Sequence, residues 1–285
     1  MPELPEVTTL CTALDERLRG ARIASVAMRS VAALKTFDPP VDALIGLEVA
    51  GCARHGKFID LEVPPLHLVV HLARAGWIRF RDSAPVSRGS MRGPLVAVVT
   101  LEDGRSLHVT EQGTEKRLAM YVVRRLEDVP GIARLGTDAL DGTLTVEALA
   151  AMLRDQHSTV KHSLADQSRI AGIGNAYSDE ILHAARISPF RRASSLTPDE
   201  VAALHGAVRA VMTEAVEAAR VLGPESLKQD KRGRMRVHGR TGEQCPVCGD
   251  TIRQVALASR SFQYCPTCQT GGKVYADRRM SRLLR

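Results

Sequence analysis

Cys245-Pro246-Val247-Cys248 and Cys265-Pro266-Thr267-Cys268 are two Cys-x-x-Cys pairs separated by sixteen residues, and the C-terminal fold is read from them. Two such knuckles can close four thiolates tetrahedrally around one zinc ion. Four protein ligands leave no open position, so the spacing predicts one structural zinc per chain held by Cys245, Cys248, Cys265 and Cys268. Two independent redox dithiols are the alternative. The intervening residues 251–264 alternate as a β-hairpin does, with Arg260 near its tip. A hairpin pinned by a metal is a firm support for a guanidinium aimed at a phosphate. The other two cysteines, Cys11 and Cys52, have no partner spacing and read as buried thiols.

Charge points the same way. From residue 225 to 285 there are 13 Lys/Arg and 5 Asp/Glu, a net +8, while the rest of the chain, with 26 against 27, stands at −1. A positive excess confined to the last fifth is the footprint of a polyanion binder, or else a solvated basic tail. Aromatics make up only 4% of the 285 residues, so serial base stacking is not the main mode of binding. No apolar run approaches the 18 residues of a membrane span. The start, Met1-Pro2-Glu3-Leu4-Pro5-Glu6, lacks the basic region of a signal peptide. Paired cysteines in a chain without a secretory start suit metal in a reducing compartment, so a cytoplasmic location is expected.

Upstream of the zinc segment the chain reads in two parts. Val7, Leu10, Leu14 and Leu18 recur at helical spacing, with Pro5 at the start and Gly20 as a stop, so residues 6–18 are expected as a helix. Short apolar runs follow at 23–28, 47–53, 57–63, 67–72, 77–80, 95–101, 106–110 and 117–123, punctuated by Gly and Pro. That pattern predicts an antiparallel β-sandwich or barrel, with a polar loop at 83–94. Helices are expected at 145–154, 160–167, 175–185 and 198–222, the last capped by Thr197. The fold class is therefore α+β. The expected division is a β-sandwich domain over 1–126, a linker over 127–143, a helical domain over 144–239, a zinc finger over 240–270 and a basic tail over 271–285.

Two further constellations carry chemistry. Gly172-Ile173-Gly174-Asn175-Ala176-Tyr177 opens a helix. Its glycines permit close backbone approach and its helix start attracts phosphate, although an ordinary helical corner reads the same. Pro2 follows the initiator Met1, and trimming would leave a secondary amine with a pKa of about 8. Such an amine can add to a sugar carbon and form an iminium without losing a further proton, and the adjacent Glu3 could serve as general acid. Taken alone, Met-Pro-Glu reads as no more than a translation start with neighbours.

Together these motifs resemble the formamidopyrimidine-DNA glycosylase and endonuclease VIII family. Pro2-Glu3-Leu4-Pro5-Glu6-Val7 is similar to its N-terminus, and His55-Gly56-Lys57-Phe58 to the strand bearing its lysine. Residues 172–177 are similar to its helix–two-turn–helix motif, and Val237-His238-Gly239-Arg240 and Ser259-Arg260-Ser261-Phe262 to its zinc finger. The resemblance implies a base-excision-repair glycosylase and abasic-site lyase acting as a monomer on double-stranded damaged DNA. In the implied roles Pro2 is the Schiff-base nucleophile and Glu3 protonates the sugar ring. Lys57 and Arg260 assist at the lesion phosphate, while Gly174, Asn175 and Tyr177 form the helix-start grip. Glu6 faces the extruded base, and Lys161 is a phosphate contact or a solvated lysine. A non-catalytic damaged-DNA or abasic-site binding protein of the same fold is the alternative.

The chain departs from that family where lesions are read. Arg74, in His71-Leu72-Ala73-Arg74-Ala75-Gly76, stands where a wedging Met is usual, and would stack on the orphaned base or form a surface salt bridge. Lys116-Arg117-Leu118 replaces an Arg-Arg-Phe loop, so the Phe wedge is either replaced by Leu118 or lost. The basic stretch 228–236 is short for a loop that closes over 8-oxoguanine. Oxidised pyrimidines, formamidopyrimidines or abasic sites are therefore the expected substrates. The tail with Lys273, Arg278, Arg279, Arg282 and Arg285 adds DNA affinity or is disordered.

Overall fold

The structure, a computed structural model, describes residues 1–82, 93–257 and 260–275, without the side chains of residues 225, 228–232, 257 and 260. Most of the 83–94 segment and the arginines of the tail fall outside the described residues. The chain divides into two compact units, one of residues 1–134 with 222–225, the other of 135–221 with 226–285.

The first unit begins with helix α1 (Leu4–Leu18). It starts two residues before the expected position because Glu3 serves as N-cap: the Glu3 N–H donates to Glu6 Oε2 at 2.8 Å in a reciprocal capping box. Among the described residues eight strands follow: β1 (Ile23–Met28), β2 (Gly51–His55), β3 (Phe58–Val63), β4 (Leu66–His71), β5 (Gly76–Arg81), β6 (Leu95–Leu101), β7 (Ser106–Glu111) and β8 (Ala119–Val123). They form two four-stranded antiparallel sheets, ordered β1-β6-β7-β5 and β2-β3-β4-β8. Alternating positions such as Ile59, Leu61 and Val63 turn inward and are buried, as a sandwich requires. Of the run expected as a strand over 47–53, β2 takes in only the part from Gly51 onward, while Glu48 forms an isolated antiparallel bridge with Arg22.

The second unit contains β9 (Thr137–Asp138), α2 (Val146–Arg154), α3 (Val160–Ala165), β10 (Ile170–Ala171), α4 (Asn175–Ala184) and α5 (Pro198–Arg234). The hairpin β11 (Arg253–Leu257) and β12 (Arg260–Tyr264) and the short α6 (Pro266–Thr270) complete it. Thr145 and Thr159 cap α2 and α3 by accepting from Ala148 N and His162 N. Thr197 caps α5 by accepting from Glu200 N at 3.3 Å. The helical span of α5 runs past its expected end at 222, but Gly223 (φ 69°, ψ 168°) and Pro224 interrupt it there. Beyond the last cysteine, Tyr275 stacks on Phe190 with ring centroids 4.3 Å apart.

Candidate functional site

In the first unit the expected catalytic groups sit at an element start and a turn. Pro2 and Glu3 are buried at the head of α1, Glu3 with 1% exposure, and Met1 precedes Pro2 in a peptide bond. Glu6, expected to face a base, is equally buried and its carboxylate holds the Glu3 N–H. Its position is thus explained by helix capping. Lys57 occupies the second place of the two-residue β2–β3 turn, where His55 pairs with Phe58. Gly56 supplies the positive φ of 57° that such a turn needs at its first place.

Lys57 is 6% exposed and its charge acts on His71, at the end of β4. Burial first, and Lys57 second, push the His71 imidazole down to about 4. In the unfolded chain a histidine takes its proton near pH 6.5, so between about 6.5 and about 4 only the unfolded state gains one. Stability is therefore full above the upper limit and falls as pH drops through that window, by about 2–3 kcal/mol. Urea denaturation of wild type and His71→Asn across this range should show a clearly flatter pH dependence for the variant.

The two loops expected to read the lesion gap are joined by their buried parts. Gly76 N–H donates to Leu72 O and Gln112 N–H to Ala75 O. A Cβ on Gly76 would lie 2.2 Å from Leu72 O and 2.8 Å from a Leu118 methyl, so only glycine fits. Leu118 itself is 2% exposed, and Glu111 Oε1 accepts from the N–H groups of Arg117 and Leu118 at 2.7 and 2.8 Å. Of the two expectations at this position, the lost wedge is the one that fits: the Leu118 side chain is core, packed on Gly76. Leu118→Ala should cost about 2–5 kcal/mol of stability in chemical denaturation. Residues 112–117 are exposed instead. Glu115 bridges Arg117 at 3.3 Å and Arg74 at 3.9 Å, the salt-bridge option for Arg74, and Lys116 Nζ donates to Glu111 O at 2.6 Å.

In the second unit Gly172 adopts φ 98°, and Gln167 clamps the turn by accepting from Gly172 N–H and donating to Ile173 O. Gln167 was not singled out from the sequence, because a side-chain amide reaching back over a turn leaves no periodic signal. The N-cap of α4 is Gly174, so the helix begins without a side-chain cap. Asn175 is the first helical residue, and its Nδ2 donates to Ser261 Oγ at 3.4 Å. Tyr177 is 5% exposed and lines a cavity of about 190 Å³ with Glu180, Glu214 and Met235.

Lys161 is placed differently from either expectation. Its Nζ lies inside the unit, 2.5 Å from Asp179 Oδ1 and 2.6 Å from Ser261 O, and over the Phe262 ring at 4.7 Å. The residue is 1% exposed, so it is neither a phosphate contact nor a solvated lysine. A buried ammonium requires a carboxylate, and Asp179 supplies it while also holding His238 Nδ1 at 2.9 Å. Next to it Glu180 accepts the backbone N–H groups of Arg236, Val237 and His238 at 2.7, 3.0 and 2.8 Å. Asp179 and Glu180 thus tie α4 to the chain entering the zinc segment.

The four Sγ atoms of Cys245, Cys248, Cys265 and Cys268 lie within 4.8 Å of one another, the one such metal-ligand cluster among the described residues. Cys245 and Cys268 are 3.9 Å apart, Cys248 and Cys265 3.3 Å. Tetrahedral Zn–S bonds of about 2.3 Å place sulfurs about 3.8 Å apart, so the set fits zinc with little adjustment. Arg260 opens β12 opposite Leu257, which puts its backbone beside the hairpin tip; its side chain lies outside the described residues. Away from the cluster, Cys11 donates to Ala53 O at 3.3 Å, and the neighbouring Cys11 thiol together with burial raises Cys52 far above the usual thiol range. Among the described residues no helix is long and apolar enough to cross a membrane.

Comparison with known proteins matches three family models in succession. They are the formamidopyrimidine-DNA glycosylase N-terminal domain over residues 1–118, the formamidopyrimidine-DNA glycosylase H2TH domain over 135–224, and the zinc finger found in FPG and IleRS over 242–271. The formamidopyrimidine-DNA glycosylase of Symbiobacterium thermophilum is 36% identical over 277 residues, covering 94% of this chain and 89% of that protein. An uncharacterized formamidopyrimidine-DNA glycosylase-like protein of Mycobacterium tuberculosis is 54% identical over 151 residues, 53% of this chain and 94% of that protein. Among solved structures, the MutM (Fpg) protein of Thermus thermophilus superposes with a TM-score of 0.82 at 31% identity, covering 96% of this chain and all of that one. The Lactococcus lactis enzyme bound non-covalently to DNA containing an AP site gives 0.82 at 25% identity, covering 94% and 99%.

Proposed function

Because the chain belongs to the formamidopyrimidine-DNA glycosylase family, we propose that it excises damaged bases from double-stranded DNA and cleaves the abasic strand, as a cytoplasmic monomer. One observation carries the reading: Pro2, buried, immediately precedes the buried N-cap Glu3 at the head of α1. With Met1 removed, the Pro2 lone pair adds to C1′ of the damaged nucleotide, and the glycosidic bond breaks as the base leaves with a proton. Glu3 protonates the ring oxygen, the sugar opens, and the proline nitrogen becomes an iminium. That cation acidifies the C2′ proton, whose loss expels the 3′ phosphate; a second elimination would expel the 5′ phosphate.

The target base must leave the stack, at a cost of a few kcal/mol. Lys57, Arg260, Asn175 and the backbone at Gly174 and Tyr177 offset it by gripping phosphates around the lesion. Arg74, Lys116 and Arg117, on the exposed loops, fill the gap and contact the opposite strand. Glu6 keeps Glu3 in place through the capping box. The zinc is structural, holding the hairpin that carries Arg260. Arg74 in place of a methionine and the short 228–236 stretch support oxidised pyrimidines, formamidopyrimidines or abasic sites over 8-oxoguanine.

Borohydride trapping on duplexes bearing an abasic site, dihydrouracil, a formamidopyrimidine or 8-oxoguanine tests the proposal with protein verified to begin at Pro2. A covalent adduct with the first three is expected. Binding without any adduct would leave a non-catalytic damage binder, and a dominant 8-oxoguanine adduct would overturn the substrate preference alone.

A further inference from the structure

The end of α4 meets the zinc cluster through a contact that the four cysteines do not account for. His183 Nε2 lies 3.3 Å from Cys245 Sγ. The imidazole is 3% exposed, and its Nδ1 is buried without a hydrogen-bond partner among the described residues. Cys245 is 2% exposed, so no solvent intervenes at this sulfur. His183 is not one of the four clustered ligands. A zinc-bound thiolate is an acceptor and has no proton to give. The proton must therefore sit on Nε2, leaving Nδ1 bare, and the contact is an N–H···S hydrogen bond to a metal ligand.

We infer that His183 is a positioning residue for the zinc centre, whose N–H holds the Cys245 thiolate and fastens the metal to the helix that begins at Asn175. A second contact supports it. Gln269 Nε2 donates to Ile187 O at 3.0 Å, just beyond α4, while its Oε1 accepts from Cys265 N–H at 2.9 Å. One ligand from each knuckle is thus tied to the same helix end. His183 stands eight residues after Asn175, about 12 Å along the helix axis. At the other end Asn175 touches Ser261, on the strand leading from Arg260 towards Cys265. The metal and the helix start are therefore two fixed points of one frame. Four thiolates on one zinc also carry a net double negative charge, which an N–H donor disperses.

Two substitutions separate hydrogen bonding from space filling. His183→Phe keeps a ring in the space and removes the N–H, whereas His183→Gln keeps an N–H donor. In the full chain, His183→Phe should weaken zinc retention against a chromogenic chelator by about 10–100-fold, with His183→Gln restoring most of the loss. Cobalt-loaded His183→Phe should show its thiolate charge-transfer bands at lower energy, since the sulfur lone pair loses its donor. In wild type loaded with the spin-half cadmium isotope, scalar coupling should be seen between the metal and the His183 Nε2 proton. Absence of that coupling in a cadmium-loaded folded chain overturns the inference, even if His183→Phe fails to fold. Zinc retention equal to wild type in a folded His183→Phe chain overturns it as well.

Discussion

Protein that keeps Met1 on Pro2 should give no borohydride-trapped adduct with abasic DNA, while the same chain beginning at Pro2 should be trapped readily. In the longer form the Pro2 nitrogen is an amide, whose lone pair is delocalised and cannot attack a carbon. Freed, it is a secondary amine with a pKa of about 8, so about a tenth of it carries a free lone pair at neutral pH. Blocking it removes the nucleophile without touching the fold, because the capping box uses the N–H of Glu3 and the carboxylate of Glu6. Glu3→Gln is the companion variant. An amide oxygen can still accept at the helix start, so α1 should remain folded. An amide cannot act as an acid, so single-turnover base release should fall by about 10²–10⁴-fold. Unchanged rates for Glu3→Gln, measured with binding held at saturation, would remove Glu3 from the chemistry while leaving Pro2 in it.

Removing the zinc should be the most damaging structural change. The small apolar cluster at the metal consists of Val237, Cys245, Ile252 and Cys265, with Cys268 against it. A core in which most members are themselves ligands cannot persist without the ion. Structural zinc contributes about 10–16 kcal/mol in isolated finger peptides, more than the whole stability of many domains. Chelation, or Cys245→Ser, should melt β11 and β12 and release the contacts of Ser261 with Lys161 and Asn175. Far-ultraviolet dichroism should lose little, since strands β1 to β8 of the first unit use none of these residues. DNA affinity should fall steeply, with a shallower salt dependence as phosphate contacts are lost. Intact DNA binding by Cys245→Ser would contradict the role given to the hairpin. Acid should act in the same sense. Hydrogen bonds from Thr267 and Thr251 hold the Asp250 carboxyl below its usual value, so its contribution is complete above the ordinary carboxylate range and is lost as pH falls through the depressed one.

Whatever rests on local spacing was legible in the chain before any fold was known. Two Cys-x-x-Cys pairs sixteen residues apart specify a metal site, because ligand geometry permits few alternatives. Leu10, Leu14 and Leu18 mark one face of α1, and the short punctuated runs mark the strands, because the periods of helix and sheet are properties of the backbone. Which polar groups are exposed, and what they face, emerged only from three-dimensional packing. Lys161 has the composition of a surface residue, yet it is buried because Asp179, eighteen positions away, meets it there. Leu118 is core and not a wedge because Gly76 opens space beneath it, and His183 came to Cys245 across 62 positions. A charge or an N–H is stabilised by its partner, and partners distant in sequence leave no period to read.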